Sequence, residues 1–320
     1  MTIEYARAHA VPKSWGVESL RPWSEARHDG AIGEIWYERS DTEASVPSLL
    51  LKLLFTSQPL SIQVHPDDAF AQAMGLPNGK SEAWYVLSAT PEAKVALGLH
   101  RRLMPKEFQA AVHDGSISDL VAWRDVTAGD AISVPAGTIH AIGAGVVIAE
   151  IQQRSDATFR LFDYGRHREL HIGSAIAVAD AGPTETQVLP KRLTTERMLL
   201  VSNSHFVFEQ IYLPPNSAWS LEADRETWLL VLSGDASAGS LDVAKGDVIF
   251  AQSDRIELHA GNAGVAGLVA YTGGEPAPEL LQRINQPSAV NVGQKTEAGV
   301  THLRSTDQVR NLAIAGKQFK

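Results

Sequence analysis

Two stretches of this chain repeat each other in order, and that internal echo constrains the fold more than any other feature of the sequence. Glu82-Ala83-Trp84-Tyr85-Val86-Leu87-Ser88 is answered by Glu226-Thr227-Trp228-Leu229-Leu230-Val231-Leu232-Ser233, and Gly129-Asp130-Ala131-Ile132-Ser133-Val134 by Gly246-Asp247-Val248-Ile249-Phe250-Ala251. Glu82 lies 47 positions before Gly129 and Glu226 lies 20 before Gly246, so the first copy carries 27 extra residues. Each matched piece is a short apolar run with strand character, so the echo implies two similar β units, the first with a decorated loop.

The rest of the chain agrees. Runs rich in apolar and β-branched residues recur at 31–38, 48–55, 60–64, 83–87, 95–99, 131–134 and 146–152, separated by Gly, Pro and Asp turns. Helical patterning is confined to 66–75 and 105–112, the latter opening on Pro105, where a first helical turn tolerates proline. The fold class is therefore mainly β with short helical insertions. Residues 183–190 are polar enough to join the units, and after Gly274 the strand alternation is lost.

Composition narrows the function. Of 320 residues, 28 are basic and 37 acidic, a net charge of −9 that lacks the basic footprint of a nucleic-acid binder. The chain has no cysteine, which removes disulfides, thiolate nucleophiles and thiolate metal ligands together. No stretch approaches the ~18 apolar residues of a membrane span, and the opening residues lack a basic segment followed by an apolar one, so the expected address is the cytoplasm, with no membrane partner.

Any metal must then rest on His, Asp, Glu or Gln. Gln63 and His65 are two apart on an expected strand and project from one face. The pattern Gly129-x5-Pro135-x-Gly137-x2-His140 delivers a second histidine onto a strand through a Pro/Gly turn, and Glu82 lies between the two. A lone strand histidine is commonly a core or surface residue. Gln63, His65, Glu82 and His140 together form a donor set that suits a divalent ion such as zinc without any thiolate.

These segments resemble a known family. Gly129 to His140 is similar to the second cupin motif. Leu60-Ser61-Ile62-Gln63-Val64-His65-Pro66-Asp67-Asp68, Gly79-Lys80-Ser81-Glu82-Ala83-Trp84-Tyr85 and Gln153-Arg154-Ser155-Asp156-Ala157-Thr158-Phe159-Arg160 resemble the signature segments of type I mannose-6-phosphate isomerases, the short bacterial form above all. The resemblance covers about residues 30–275. It implies tandem cupin domains of the jelly-roll type: a metal-binding catalytic domain over 1–182, a degenerate metal-free one over 183–275, and a peripheral polar tail over 276–320. It also implies one zinc ion per chain on Gln63, His65, Glu82 and His140, and interconversion of mannose 6-phosphate and fructose 6-phosphate through a cis-enediol.

Such a reaction needs an acid/base and an electrophile. Lys80 precedes Glu82 by two residues, and Glu150 matches a family position proposed as acid/base; both stay candidates for the proton carrier. Arg160 matches a family active-site arginine, and Arg166 a second basic position. Lys52 and Ser61 could add phosphate contacts, although Lys52 also reads as an edge-strand gatekeeper. The second copy departs from the motif, with Glu257 at the histidine position and Gln252 and Asp254 at the proline and glycine positions, so it is expected to bind no metal in this manner and His259 to be structural. Another cupin metalloenzyme, a different sugar isomerase or a dioxygenase, and a non-catalytic sugar-binding cupin are the competing classes.

Overall fold

The computed structural model describes residues 3–284 except 26–28, 167, 185, 186 and 188, and it is built from three antiparallel sheets. A six-stranded sheet runs in the order Arg7–Val17, Ile32–Glu38, Leu49–Phe55, Val146–Gln153, Glu82–Ala89, Ala131–Val134. A five-stranded sheet runs Phe159–Phe162, Ile62–Val64, His140–Ile142, Lys94–Leu99, Val121–Asp125. A ten-stranded sheet takes the strands from Lys191–Arg192 to Leu281–Arg283, with Ile3–Tyr5 added on the edge strand Val248–Ala251. No helix among the described residues is long and apolar enough to cross a membrane.

The strand period of two decides where every site residue points. In the six-stranded sheet Leu51, Leu53, Phe55, Ala83, Tyr85, Leu87, Ala149 and Ile151 form one face, packed on Leu200, Phe206, Phe208, Trp228, Leu230, Val248, Phe250 and Leu268 of the ten-stranded sheet. The alternate residues Leu54, Trp84, Val86 and Ile148 turn the other way and meet Val95, Leu97 and Ile142 of the five-stranded sheet. With both faces covered, Leu49–Phe55 is buried at all seven positions, which is why it reads as a continuous apolar run. The outer face of the five-stranded sheet, Ile62, Val64, Ala96, Ala141, Phe159 and Leu161, is covered by Phe108, Ala111, Val112 and Ala175 of two helices.

Those helices, Pro105–Asp114 and Ile172–Val178, and the shorter Asp68–Ala73 and Ile117–Leu120, are the helical insertions. Asp68–Ala73 is capped by Asp67, whose Oδ1 accepts the Phe70 N–H at 2.8 Å. The helix from Pro105 ends at Gly115, whose φ of +83° suits glycine. Ile117–Leu120 and Ile172–Val178 carry too few turns to leave a periodic signal. The segment expected as a polar tail begins inside the sheet, with Leu281–Arg283 pairing with Ala218–Ala223 and Leu280 and Leu281 buried. Residues 285–320 lie outside the described residues.

The echo is real in space but shifted by one residue. Val86 N–H donates to Asp130 O at 2.9 Å and Gly129 N–H to Val86 O at 2.9 Å; Val231 N–H donates to Asp247 O at 3.0 Å and Gly246 N–H to Val231 O at 2.9 Å. Both glycines sit at positive φ, +99° and +92°. Since Val86 matches Val231, Trp84 matches Leu229 and Glu82 matches Thr227, because the second copy has one residue more between its tryptophan and its valine. A one-residue shift reverses the face. Glu226 and Trp228 therefore point toward the six-stranded sheet and away from the second unit's own interior, and the Glu226 carboxylate accepts the N–H groups of Ser48 and Leu49 and the Trp228 indole N–H.

Trp228 is fully buried, with its ring 4.9 Å from that of Phe250. Its replacement by alanine is expected to cost about 3–5 kcal/mol, read as a lower melting temperature. Glu257→Ala and His259→Ala, which remove an exposed pair 3.6 Å apart, should stay within about 0.5 kcal/mol of the parent protein.

Candidate active site

Register assembles the site as two facing rows. His140 and Arg160 are both paired with Gln63 in the five-stranded sheet, so the three project from neighbouring strands. Lys52 and Trp84 are both paired with Glu150 in the six-stranded sheet, and Gln152 with Glu82. His65 sits one residue beyond its strand, and Lys80 two residues before the strand that opens on Glu82.

Where the rows meet, one ligand atom each from His65, Glu82 and His140 lies within 4.8 Å of the others, and all three side chains are buried. His65 Nε2 is 3.3 Å from Glu82 Oε2, and His140 Nε2 is 3.5 Å from Glu82 Oε1. Each imidazole donates its Nδ1–H to a backbone carbonyl, His65 to Ala157 at 2.8 Å and His140 to Thr138 at 2.9 Å, which leaves both Nε2 lone pairs facing the carboxylate. Burial, with Lys80 adding to it, drives the His65 pKa down to about 3, and burial also lowers His140. Both rings are neutral, as metal ligands must be.

Gln63 completes the set: its Nε2 is 3.3 Å from His140 Nε2, and its Oε1 accepts the Ser61 hydroxyl at 3.0 Å. Turning the amide over exchanges these roles and offers Oε1 beside the imidazoles, with Nε2 donating to Ser61 Oγ. The donor set thus fits a divalent cation. An ammonium already takes advantage of it, with Lys80 Nζ 2.7 Å from Glu82 Oε2 and 2.9 Å from His65 Nε2. Burial alone would raise the Glu82 pKa, yet Lys80 and the neighbouring imidazoles hold it well below the usual carboxylate range.

The second carboxyl behaves oppositely. Glu150 is buried, and burial followed by the charge on Glu82 pushes it up to about 7 despite Lys80 and Lys52. Trp84 Nε1–H donates to both carboxylates, Glu82 Oε1 at 3.0 Å and Glu150 Oε2 at 3.1 Å. Lys52 Nζ stands 3.6 Å from Glu150 Oε1 and 4.6 Å above the Trp36 ring, and burial lowers its pKa. Trp84 could have been foreseen as a site residue, since it shares a strand face with Glu82.

Lys52, Ser61, Gln63, Lys80, Glu82, Glu150 and Arg160 all line one cleft. Arg160 Nε is buried without a hydrogen-bond partner. Arg166 does not line this cleft: its guanidinium donates to the Pro59 carbonyl at 2.7 Å and pairs with Asp163 at 3.2 Å, and Arg168, held on the same Asp163, lines the cleft instead. Another wall holds Lys13, Trp15, Glu34 and Trp36, in which Trp36 Nε1 donates to Glu34 at 2.6 Å and Lys13 pairs with it at 3.4 Å. Nothing in the sequence distinguished these four, beyond the alternation that puts Glu34 and Trp36 on one face.

No family model matches the chain. It is 40% identical over 148 residues to a mannose-6-phosphate isomerase of Streptococcus mutans, covering 44% of this chain and 46% of that protein. It is 32% identical over 194 residues to a probable mannose-6-phosphate isomerase of Bacillus subtilis, covering 54% and 61%. The chain thus spans about half the length of the curated relatives it matches. In fold, 85% of the chain superposes on all of the mannose 6-phosphate isomerase structure from Bacillus subtilis with a TM-score of 0.75 at 21% identity. The same share superposes on 97% of a putative mannosephosphate isomerase from Archaeoglobus fulgidus at 0.67 and 16% identity. Over about half its length the chain is thus similar in sequence to mannose-6-phosphate isomerases, and in fold 85% of it superposes on solved mannose 6-phosphate isomerase structures.

Proposed function

We propose that the chain is a zinc-dependent aldose–ketose isomerase that interconverts mannose 6-phosphate and fructose 6-phosphate through a cis-enediol. The observation that carries this reading is the buried His65–Glu82–His140 donor set joined through the Trp84 indole to a second buried carboxyl, Glu150, with both carboxylates lining a cleft that also bears Lys52 and Arg160. The names of the relatives in sequence support the substrate assignment.

In this proposal Gln63, His65, Glu82 and His140 hold one zinc ion per chain, which when bound polarises sugar oxygens and stabilises charge developing on them. Moving a proton between adjacent carbons requires a group that takes it and returns it near neutral pH. Glu150 suits this: its pKa is raised to about 7, and the Trp84 N–H fixes one of its oxygens. Lys80 stays the rival for that step: its Nζ lies 2.7 Å from Glu82 Oε2 and 2.9 Å from His65 Nε2, and a bound cation would take that imidazole lone pair and leave the ammonium beside Glu82. Arg160, with an unpaired buried Nε–H, and Lys52 supply donors for enediolate or phosphate oxygens, and Arg168 stands in the cleft where Arg166 was expected. Ser61 serves through Gln63, whose amide it orients.

Purified protein is expected to carry about one divalent ion per chain by elemental analysis and to convert fructose 6-phosphate in a coupled assay; chelation should abolish turnover reversibly. His140→Ala should lose both ion and turnover, and full zinc occupancy in that variant refutes the ligand assignment.

Glu150→Gln and Arg160→Ala should keep the ion while lowering turnover, by about 10² to 10⁴ for the proton carrier. The ionised Glu150 is the active base, so kcat/KM should fall as pH drops through an acid limb no higher than about 7. A bound cation offsets part of the Glu82 charge and moves the limb down. Glu150→Gln should abolish that limb, and its survival in the variant assigns the base elsewhere.

A further inference from the structure

The short segment Gly79-Lys80-Ser81, which carries Lys80 and leads into Glu82, has no ladder partner of its own, yet each of its three N–H groups is satisfied. Gly79 N–H donates to Asp68 Oδ1 at 2.7 Å, Lys80 N–H to Pro66 O at 2.9 Å, and Ser81 N–H to Gln153 Oε1 at 2.9 Å. The two side chains are themselves joined, Gln153 Nε2 donating to the same Asp68 Oδ1 at 2.9 Å, and Gln153 N–H donates back to Ser81 O at 3.1 Å. The approach is close: a Cβ on Gly79 would stand 2.5 Å from the Asp67 carbonyl carbon. Ser81 Oγ then accepts the Ala136 N–H at 3.2 Å, tying the segment to the turn that delivers His140.

We infer that Asp68 and Gln153 form a clamp whose work is positional, fixing the backbone on both sides of Lys80 so that its ammonium is held beside Glu82 at the edge of the donor set. Neither side chain belongs to the cleft or the donor set. The two acceptors straddle Lys80, one at the residue before it and one at the residue after, and their mutual hydrogen bond fixes the distance between them. A four-carbon side chain reaching two fixed partners at 2.7 and 2.9 Å tolerates little movement of its Cα. Displacement of about 1 Å at a reacting centre can cost on the order of 10²-fold in rate.

The inference rests on the function proposed above, and the test separates the two. In the metal-loaded full chain, Asp68→Ala should lower kcat about 10- to 100-fold with KM for fructose 6-phosphate within about threefold. Asp68→Asn, which keeps an oxygen able to accept from both Gly79 and Gln153, should restore at least half of the lost rate. Independently of activity, peptide mapping after brief acetylation should find Lys80 nearly protected in the parent and in Asp68→Asn but modified several-fold faster in Asp68→Ala, with the other lysines unchanged. Gln153→Ala carries the same expectations if Asp68→Ala does not fold. Unchanged Lys80 protection and kcat in the alanine variants, or equal losses in Asp68→Asn and Asp68→Ala, overturn the clamp. A parent protein inactive on sugar phosphates overturns the isomerase reading alone, since the acetylation pattern still decides the clamp.

Discussion

Burying both faces of one sheet governs this molecule. Each strand of the six-stranded sheet divides its residues between two interiors, so Leu51, Leu53 and Phe55 supply apolar contact to one side while Lys52 and Leu54 enter the other. The same alternation sends Trp84 and Glu150 inward and Ala83 and Ile151 outward. A slip of one residue would exchange a packed core for a set of buried charges, so the register is strongly specified. Charges placed in that interior are costly unless paired. The pairs are present: Lys52 with Glu150, Lys80 with Glu82, and the imidazoles with backbone carbonyls.

The site's electrostatics follow from which carboxylate has the closer cation. Glu82 and Glu150 share one indole N–H, and both are buried. Lys80 makes a 2.7 Å contact with Glu82, whereas Lys52 stays 3.6 Å from Glu150. One group is therefore held firmly ionised and the other near neutrality, the division of labour that acid–base chemistry at neutral pH requires.

Much of this was legible in the residues, and the exceptions have physical causes. The run 48–55 was found because burial on two faces leaves a continuous apolar signature, and Gln63, His65 and His140 because strand spacing and a Pro/Gly turn determine direction. Arg166 and Arg168 lie beyond the end of a strand, where no period predicts direction; Arg166 donates to the Pro59 carbonyl and Arg168 lines the cleft. Lys13, Trp15, Glu34 and Trp36 enter the cleft only because their strands add to the sheet's edge, a long-range pairing no local pattern encodes. Glu226 matches Glu82 in letter but not in register, because one extra residue between Trp228 and Val231 reverses the face of the strand.

That inserted position bears on how such a molecule can change over time. Thr227 occupies the place of Glu82, on the face of its strand that also bears Leu229 and Val231, within an interior of Ile211, Leu213, Val243 and Val265. Thr227 is also the ladder partner of Tyr271, whose hydroxyl donates to Glu209, itself paired with the buried Arg197, so this interior already holds one charge pair and a carboxylate acquired there would stand near another. Reproducing the first unit's donor set in the second would therefore take more than one substitution, since register, apolar neighbours and an existing buried ion pair all stand against it. The two halves, alike in hydrogen bonding, differ in what their interiors hold.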